Sequence, residues 1–195
     1  LFEGETRAGA EQPAIAGAPV TPEVRDLARQ LPPGIRLGTS SWHFPGWRDI
    51  VWADAVTPGD LSRYGLAAYA QHPLFGAVGV DRSFYAPLSV RQYESYARQV
   101  PVSFRFVVKA PSLLTSPWIH GEDGGRGKNN ASFLDAAYAI EQFVEPAREG
   151  LGANAGPLLF QFPPLGRTLT RAPERFIAQL QEFLGRLPQG PLYAV

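Results

Sequence analysis

The chain has 195 residues, enough for one domain with a full core. Its 18 Lys+Arg balance 18 Asp+Glu, and the resulting zero net charge disfavours a dedicated nucleic-acid binder, which carries a basic excess. There is no cysteine, which excludes disulfides, thiolate metal sites and cysteine nucleophiles.

Residues 1–20 are rich in Ala, Gly, Pro and Glu and show no periodicity. They are expected to form a mobile arm ahead of a single domain over 21–195. The opening LFEGETRAGAEQP carries acids and no apolar run, unlike a signal peptide. No stretch approaches the roughly 18 apolar residues of a membrane span. A cytoplasmic location is expected. The chain starts at Leu1, holds no Met and stops in the strand-like PLYAV with no turn or cap behind it, so it reads as a piece of a longer protein.

The first expected helix has Thr21 as N-cap and Pro22 in its first turn, with Val24, Leu27 and Ala28 on one face. Leu31-Pro32-Pro33-Gly34 ends it. A strand from Arg36 to Ser40 leads into an aromatic loop holding Trp42, His43, Phe44, Trp47 and Trp52. A helix over Pro58 to Gln71 opens on Thr57, Pro58 and Asp60. Strand two covers Ala77 to Asp81, and Ser89 with Gln92 starts a helix to Gln99. Strand three is Phe104 to Lys109. The Gly-rich stretch from Ala110 to Asn130 reads as one long loop. Phe133, Ala137, Ile140, Val144 and Ala147 then recur at helical spacing, with Pro146 expected to shorten or kink that helix. Strand four is Leu158 to Phe162, the last helix is Pro173 to Arg186, and strand five begins at Leu192.

Strands alternate with helices throughout, the pattern of βαβ units and a parallel sheet. Right-handed crossovers put all strand C-termini on one side. A doubly wound sheet and a TIM barrel both fit this pattern. No G-x-G-x-x-G follows strand one, and Gly121 to Gly127 lacks the G-K-[ST] of a P-loop. The expected fold is α/β, a TIM-barrel-like (β/α)8 architecture of which this chain carries about the first five β/α units.

Four segments strengthen that expectation. They are Gly38-Thr39-Ser40-Ser41-Trp42, Val78 to Tyr85, Phe104-Arg105-Phe106-Val107-Val108-Lys109-Ala110-Pro111 and Gln161-Phe162-Pro163-Pro164. In this order, each at a strand end, they resemble the G-x-S-x-W, V-E-x-N-x-T-F-Y, F-x-F-x-V-K-x-P and Q-x-P-P motifs of the YecE-like family, domain of unknown function 72. The resemblance covers about Gly34 to Val195 and implies a TIM-barrel fold, with no settled activity attached. Two positions depart from the motif, with Gly79 where the family has Glu and Asp81 where it has Asn. The family continues past strand five with an E-x-R-H-like segment.

The candidate chemistry sits at the strand ends. Lys109 closes an apolar strand and should face the barrel mouth, ready to meet a phosphate or carboxylate, or to ion-pair with Asp81. Asp81 is a candidate general base or hydroxyl acceptor, and with Lys109 makes the catalytic pair. Arg82 follows it on the alternate side. Trp42 and Tyr85, with Phe84 and Trp118, offer a stacking wall or core packing, whereas Trp47 and Trp52 read as core. Gln161 offers an amide to ligand hydroxyls or to buried backbone near Pro163-Pro164. His43 and His120 are within reach of the mouth, and His72 reads as a surface residue. Two histidines and one carboxylate fall short of a metal set, so no metal is predicted. No cofactor motif is legible, and Ser40 and Ser41 lie outside a G-x-S-x-G elbow. Arg126 and Lys128 read as solvated loop charges, with phosphate contact as their other role.

The expected function is that of an enzyme binding a small polar ligand, a sugar or sugar phosphate, at the C-terminal mouth. A nucleic-acid-binding or processing barrel lined by Arg82, Lys109, Arg126 and Lys128 is the alternative, and a non-catalytic interaction module the third. The expected partner is a small molecule, with no membrane, and the sequence specifies no oligomeric state.

Overall fold

A computed structural model describes residues 14–119, 127–165 and 173–195. Helix α1 (Pro22–Gln30) begins where the Thr21 hydroxyl accepts from the Val24 N–H. Strand β1 (Leu37–Thr39) follows, then α2 (Pro58–Gln71), whose Asp60 N–H donates to Thr57 Oγ1 at 3.2 Å. Strand β2 (Phe75–Val80) runs into a single turn, α3 (Arg82–Tyr85). Helix α4 (Val90–Ala97) carries the expected capping box: Ser89 Oγ accepts from the Gln92 N–H and Gln92 Oε1 from the Ser89 N–H. Strand β3 (Arg105–Lys109) and a short turn α5 (Ser112–Thr115) come next. A hairpin of β4 (Trp118–Ile119) and β5 (Lys128–Asn129) then leads to α6 (Ala136–Ala139), a π turn (Ile140–Val144) and α7 (Glu145–Leu151). The described chain ends with β6 (Ala155–Leu159), α8 (Pro173–Arg186) and β7 (Tyr193–Ala194).

The five long-range strands pair in parallel in the order β1-β2-β3-β6-β7, which is chain order. Order without reversal leaves this sheet no topological switch point, so the crevice of a doubly wound fold is missing among the described strands. Side chains alternate across the sheet. Val78, Val80, Phe106, Val108, Leu158 and Phe160 are buried in one core with Leu61 and Leu66 of α2, Tyr93 of α4, Phe143 of the π turn and Phe183 of α8. Burying each of Phe106, Phe143 and Phe160 stabilises the fold by about 1.5–3 kcal/mol relative to exposure. The opposite face carries Ala77, Gly79, Val107 and Leu159 and lines an open cavity. No helix among the described residues is long and apolar enough to cross a membrane.

Several expected boundaries move, each for a local reason. Strand four forms at Ala155–Leu159 rather than Leu158 to Phe162. Gly156 and Pro157 oppose Val107 at a register irregularity, where the missing Pro N–H costs no ladder bond. Pro146 neither ends nor shortens its helix. The hydrogen bond from the Glu145 N–H to the Ile140 carbonyl widens the turn just ahead of it, making room for the ring. That extra residue shifts the buried face to Ala136, Ala139, Phe143, Val144, Ala147 and Leu151, while Ala137 is exposed and Phe133 precedes the helix. The stretch expected as one long loop contains α5 and the β4–β5 hairpin, and residues 120–126 within it, including His120 and Arg126, lie outside the described residues.

Strand two ends at Val80, so Asp81 is helical (φ −82, ψ −16) rather than extended. The aromatic loop is anchored as expected of core tryptophans. Trp52 is fully buried and its indole N–H donates to the Phe44 carbonyl at 3.0 Å. The last residues of the expected arm dock here as well: Ala18 N–H donates to Val51 O and Ala53 N–H to Ala16 O. Residues 1–13 of that arm lie outside the described residues.

Candidate functional site

The site is built on the C-terminal ends of β1, β2, β3 and β6. Alternation along β3 buries Phe106 and Val108 on the helix side and turns Lys109 to the open side. The turn of α3 carries Asp81 back over the sheet, and Lys109 Nζ meets Asp81 Oδ1 at 3.0 Å. Their side chains are 21% and 41% exposed, so the pair sits at a rim in contact with solvent. The Phe84 ring lies under the ammonium, 5.7 Å from Nζ to centroid, within cation–π range.

A buried hydroxyl holds this geometry. Ser83 is fully buried, and its Oγ lies 2.6 Å from the Lys109 carbonyl and 2.9 Å from the Val80 carbonyl. One side chain thus clasps the α3 turn to the last residues of β2 and β3. Tyr93 packs beside Ser83, and burial raises its phenol above the ordinary tyrosine value. A second clasp fixes the end of β1. Tyr69 OH accepts from the Thr39 N–H at 3.1 Å and shares its one proton between Thr39 Oγ1 at 2.8 Å and the Ala77 carbonyl at 3.3 Å. Burial raises the Tyr69 phenol, and its hydrogen bonds with Thr39 act in the opposite direction. Thr39 Oγ1 in turn donates to the Ser41 carbonyl at 2.7 Å, which sets the course of the chain through Ser40 and Ser41.

Two cavities adjoin the Lys109–Asp81 pair. One, of about 380 Å³, lies on the open face of the sheet and brings Lys109, Asp81 and the exposed Gln161 together over Gly79, Val107 and Leu159. The other, of about 420 Å³, lies between the β1 and β2 ends and gathers Trp42, His43, Asp81, Arg82 and Tyr85. Ser40 and Asp81 line both. Lys109, Gln161, Trp42, His43, Arg82 and Tyr85 each line one of these cavities, with Asp81 between them.

The expected aromatic wall does not form as one surface. Trp42 is only 6% exposed, edge-on to Tyr96 at 5.1 Å and to His43 at 6.0 Å, while Tyr85 is 82% exposed. Phe84 and Trp118 instead share a separate cavity with Pro163 and Pro164. His72, expected at the surface, is half-buried against Phe75 with ring centroids 4.6 Å apart, and burial lowers its pKa. No group of three His, Asp or Glu among the described residues could hold a metal ion.

The arrangement offers a hydrogen-bond donor at Lys109, an acceptor at Asp81 and both at Gln161. Sequence reasoning missed Ser83 and Ser40. Ser40 follows Gly38 by two in a strand, a spacing that puts both on the open face. Ser83 carries no such signal, because its role depends on the approach of β3. Gly79 is explained by the fold: a Cβ there would lie 2.8 Å from the Ser40 carbonyl oxygen, so β1 approaches too closely for a side chain without movement.

The chain is 29% identical over 131 residues to the UPF0759 protein YunF of Bacillus subtilis, which covers 67% of this chain and 40% of YunF. Two crystal structures of a DUF72 family protein from Enterococcus faecalis V583 share its fold at 21% identity. One has a TM-score of 0.56 over 80% of this chain and 48% of that one, the other 0.51 over 80% and 49%. The chain thus spans about half the length of these relatives or less. The model of the family described as protein of unknown function DUF72 matches residues 36–195, and the chain belongs to that family.

Proposed function

We propose that the described sheet is one wall of a TIM-barrel-like (β/α)8 fold, and that its C-terminal rim binds a small polar ligand, a sugar or sugar phosphate, in an enzyme active site. Consecutive parallel strand order, helices packed on one face and an opposite face of small and aliphatic residues all support the barrel. The observation that carries the ligand reading is the Lys109–Asp81 pair, 3.0 Å apart between two adjoining cavities at the strand ends. In this reading Asp81 accepts a proton or a hydroxyl hydrogen and Lys109 stabilises the charge that develops on the ligand oxygen. Gln161 orients hydroxyls, His43 offers a further polar contact, and Trp42 and Tyr85 border the ligand.

The test is a thermal-shift and calorimetric titration of the purified full-length protein with neutral sugars and sugar phosphates. A ligand present at ten times its Kd stabilises by about 1.4 kcal/mol, a Tm rise of about 3–6 °C at this chain length. The rise should disappear in Lys109→Met and Asp81→Asn. A flat response across both ligand classes at about 10 mM, beyond the KM range of ordinary enzymes, sinks the reading.

A further inference from the structure

The cavity of about 420 Å³ around Trp42 differs chemically from its neighbour. Its one carboxylate, Asp81, is already engaged from the far side by Lys109 at 3.0 Å. Its cation, Arg82, is exposed and pairs with no carboxylate among the described residues. The cavity is therefore left with an uncompensated guanidinium. Around it stand His43 and the hydroxyl donors Ser40, Ser41 and Ser62. Trp42 closes one side of the cavity, with its indole N–H buried beneath that surface. A cation unpaired among the described residues and several hydroxyl donors share a single need, an acceptor-rich anion.

We infer that the Trp42 cavity is an oxyanion subsite, in which the Arg82 guanidinium takes the phosphate or carboxylate end of the ligand while its hydroxyls reach the Lys109–Asp81–Gln161 cavity. The inference rests on the ligand reading above and narrows it from polar compounds to anionic polyols. The two cavities adjoin through Asp81 and Ser40, so one short molecule can occupy both. Arg suits the role because its planar fork binds a phosphate or carboxylate through two parallel hydrogen bonds.

The experiment titrates the full-length protein with inorganic phosphate, acetate and glucose, read by tryptophan fluorescence and calorimetry. The variants are Arg82→Met, Arg82→Lys and Lys109→Met. Phosphate or acetate should bind saturably to the wild type, weaken about tenfold or more in Arg82→Met and fall between the two in Arg82→Lys. Phosphate binding alone assigns a phosphate subsite, and acetate matching it assigns a general oxyanion subsite. Failure of both anions, or equal affinity in Arg82→Met, overturns the inference. Glucose reports the neighbouring cavity separately, through its loss in Lys109→Met. Anion binding that depends on Arg82 with no glucose response upholds the subsite and counts against the hydroxyl reading. A glucose response that depends on Lys109, with anions indifferent to Arg82, does the reverse.

Discussion

Ser83 is fully buried, with its hydroxyl 2.6 Å from the Lys109 carbonyl and 2.9 Å from that of Val80. Ser83→Ala is nearly isosteric, so it removes the hydrogen bond and leaves the packing almost unchanged. The hydroxyl has one proton, and the shorter contact marks its main acceptor. Losing one buried bond, with carbonyls left short of a donor, costs about 1–2 kcal/mol. At this chain length that is a Tm drop of about 2–8 °C. Ser95→Ala is the control. Ser95 Oγ donates to the Gln92 carbonyl at 2.7 Å on an exposed helix surface, and its loss should cost less than about 0.5 kcal/mol. The clasp also holds the backbone of Lys109, so any stabilisation by the ligand proposed above should shrink in Ser83→Ala. Thermal and denaturant unfolding of the two variants side by side decide the matter. A Ser83→Ala loss no larger than that of Ser95→Ala refutes the clasp.

Three further predictions concern stability. Gly38→Ala should destabilise by at least about 1–3 kcal/mol, because its Cβ would lie 2.2 Å from the Ala77 carbonyl oxygen, whereas Gly185→Ala, with open space around it, should gain about 0.5–1 kcal/mol in denaturant titrations. Burial lowers the pKa of His72, so the unfolded chain binds the proton more readily. The stability this contributes is present above the unfolded value of about 6.5 and is lost as pH falls through the folded value, and urea midpoints of His72→Asn should lose that acid-side slope. Tyr93 is raised by burial, so its contribution is present below about pH 10 and falls away as pH rises toward its folded value. Tyr93→Phe removes the ionisable hydroxyl, so its urea midpoint should fall less than that of the wild type as pH rises above about 10.

Local chemistry was readable wherever the cause lay within a few residues. Thr21, Thr57 and Ser89 cap helices because their hydroxyls reach an N–H three residues on, and the sequence carries that spacing openly. Alternation along Arg105 to Lys109 likewise implied a buried face and a Lys on the other side. The strand ends named Lys109, Asp81 and Gln161, and the parallel sheet does bring them to one cavity. Other features had causes distant in the chain. The boundary of β6 depends on which β3 residues oppose Pro157, and the π turn on how Phe143 and Ala147 settle against the core around Pro146.

Caps, alternation and the βαβ rhythm belong to the sequence by itself, because neighbouring residues impose them. The tertiary structure decided the rest, because each remaining feature is a contact between strands. It withdrew Trp42 into a cavity wall against Tyr96 and left Tyr85 in solvent. It brought the Ser40 backbone too close to position 79 for a side chain. It also clasped β2 to β3 through Ser83, a residue with no distinguishing pattern in the sequence, beside the two charges of the candidate site.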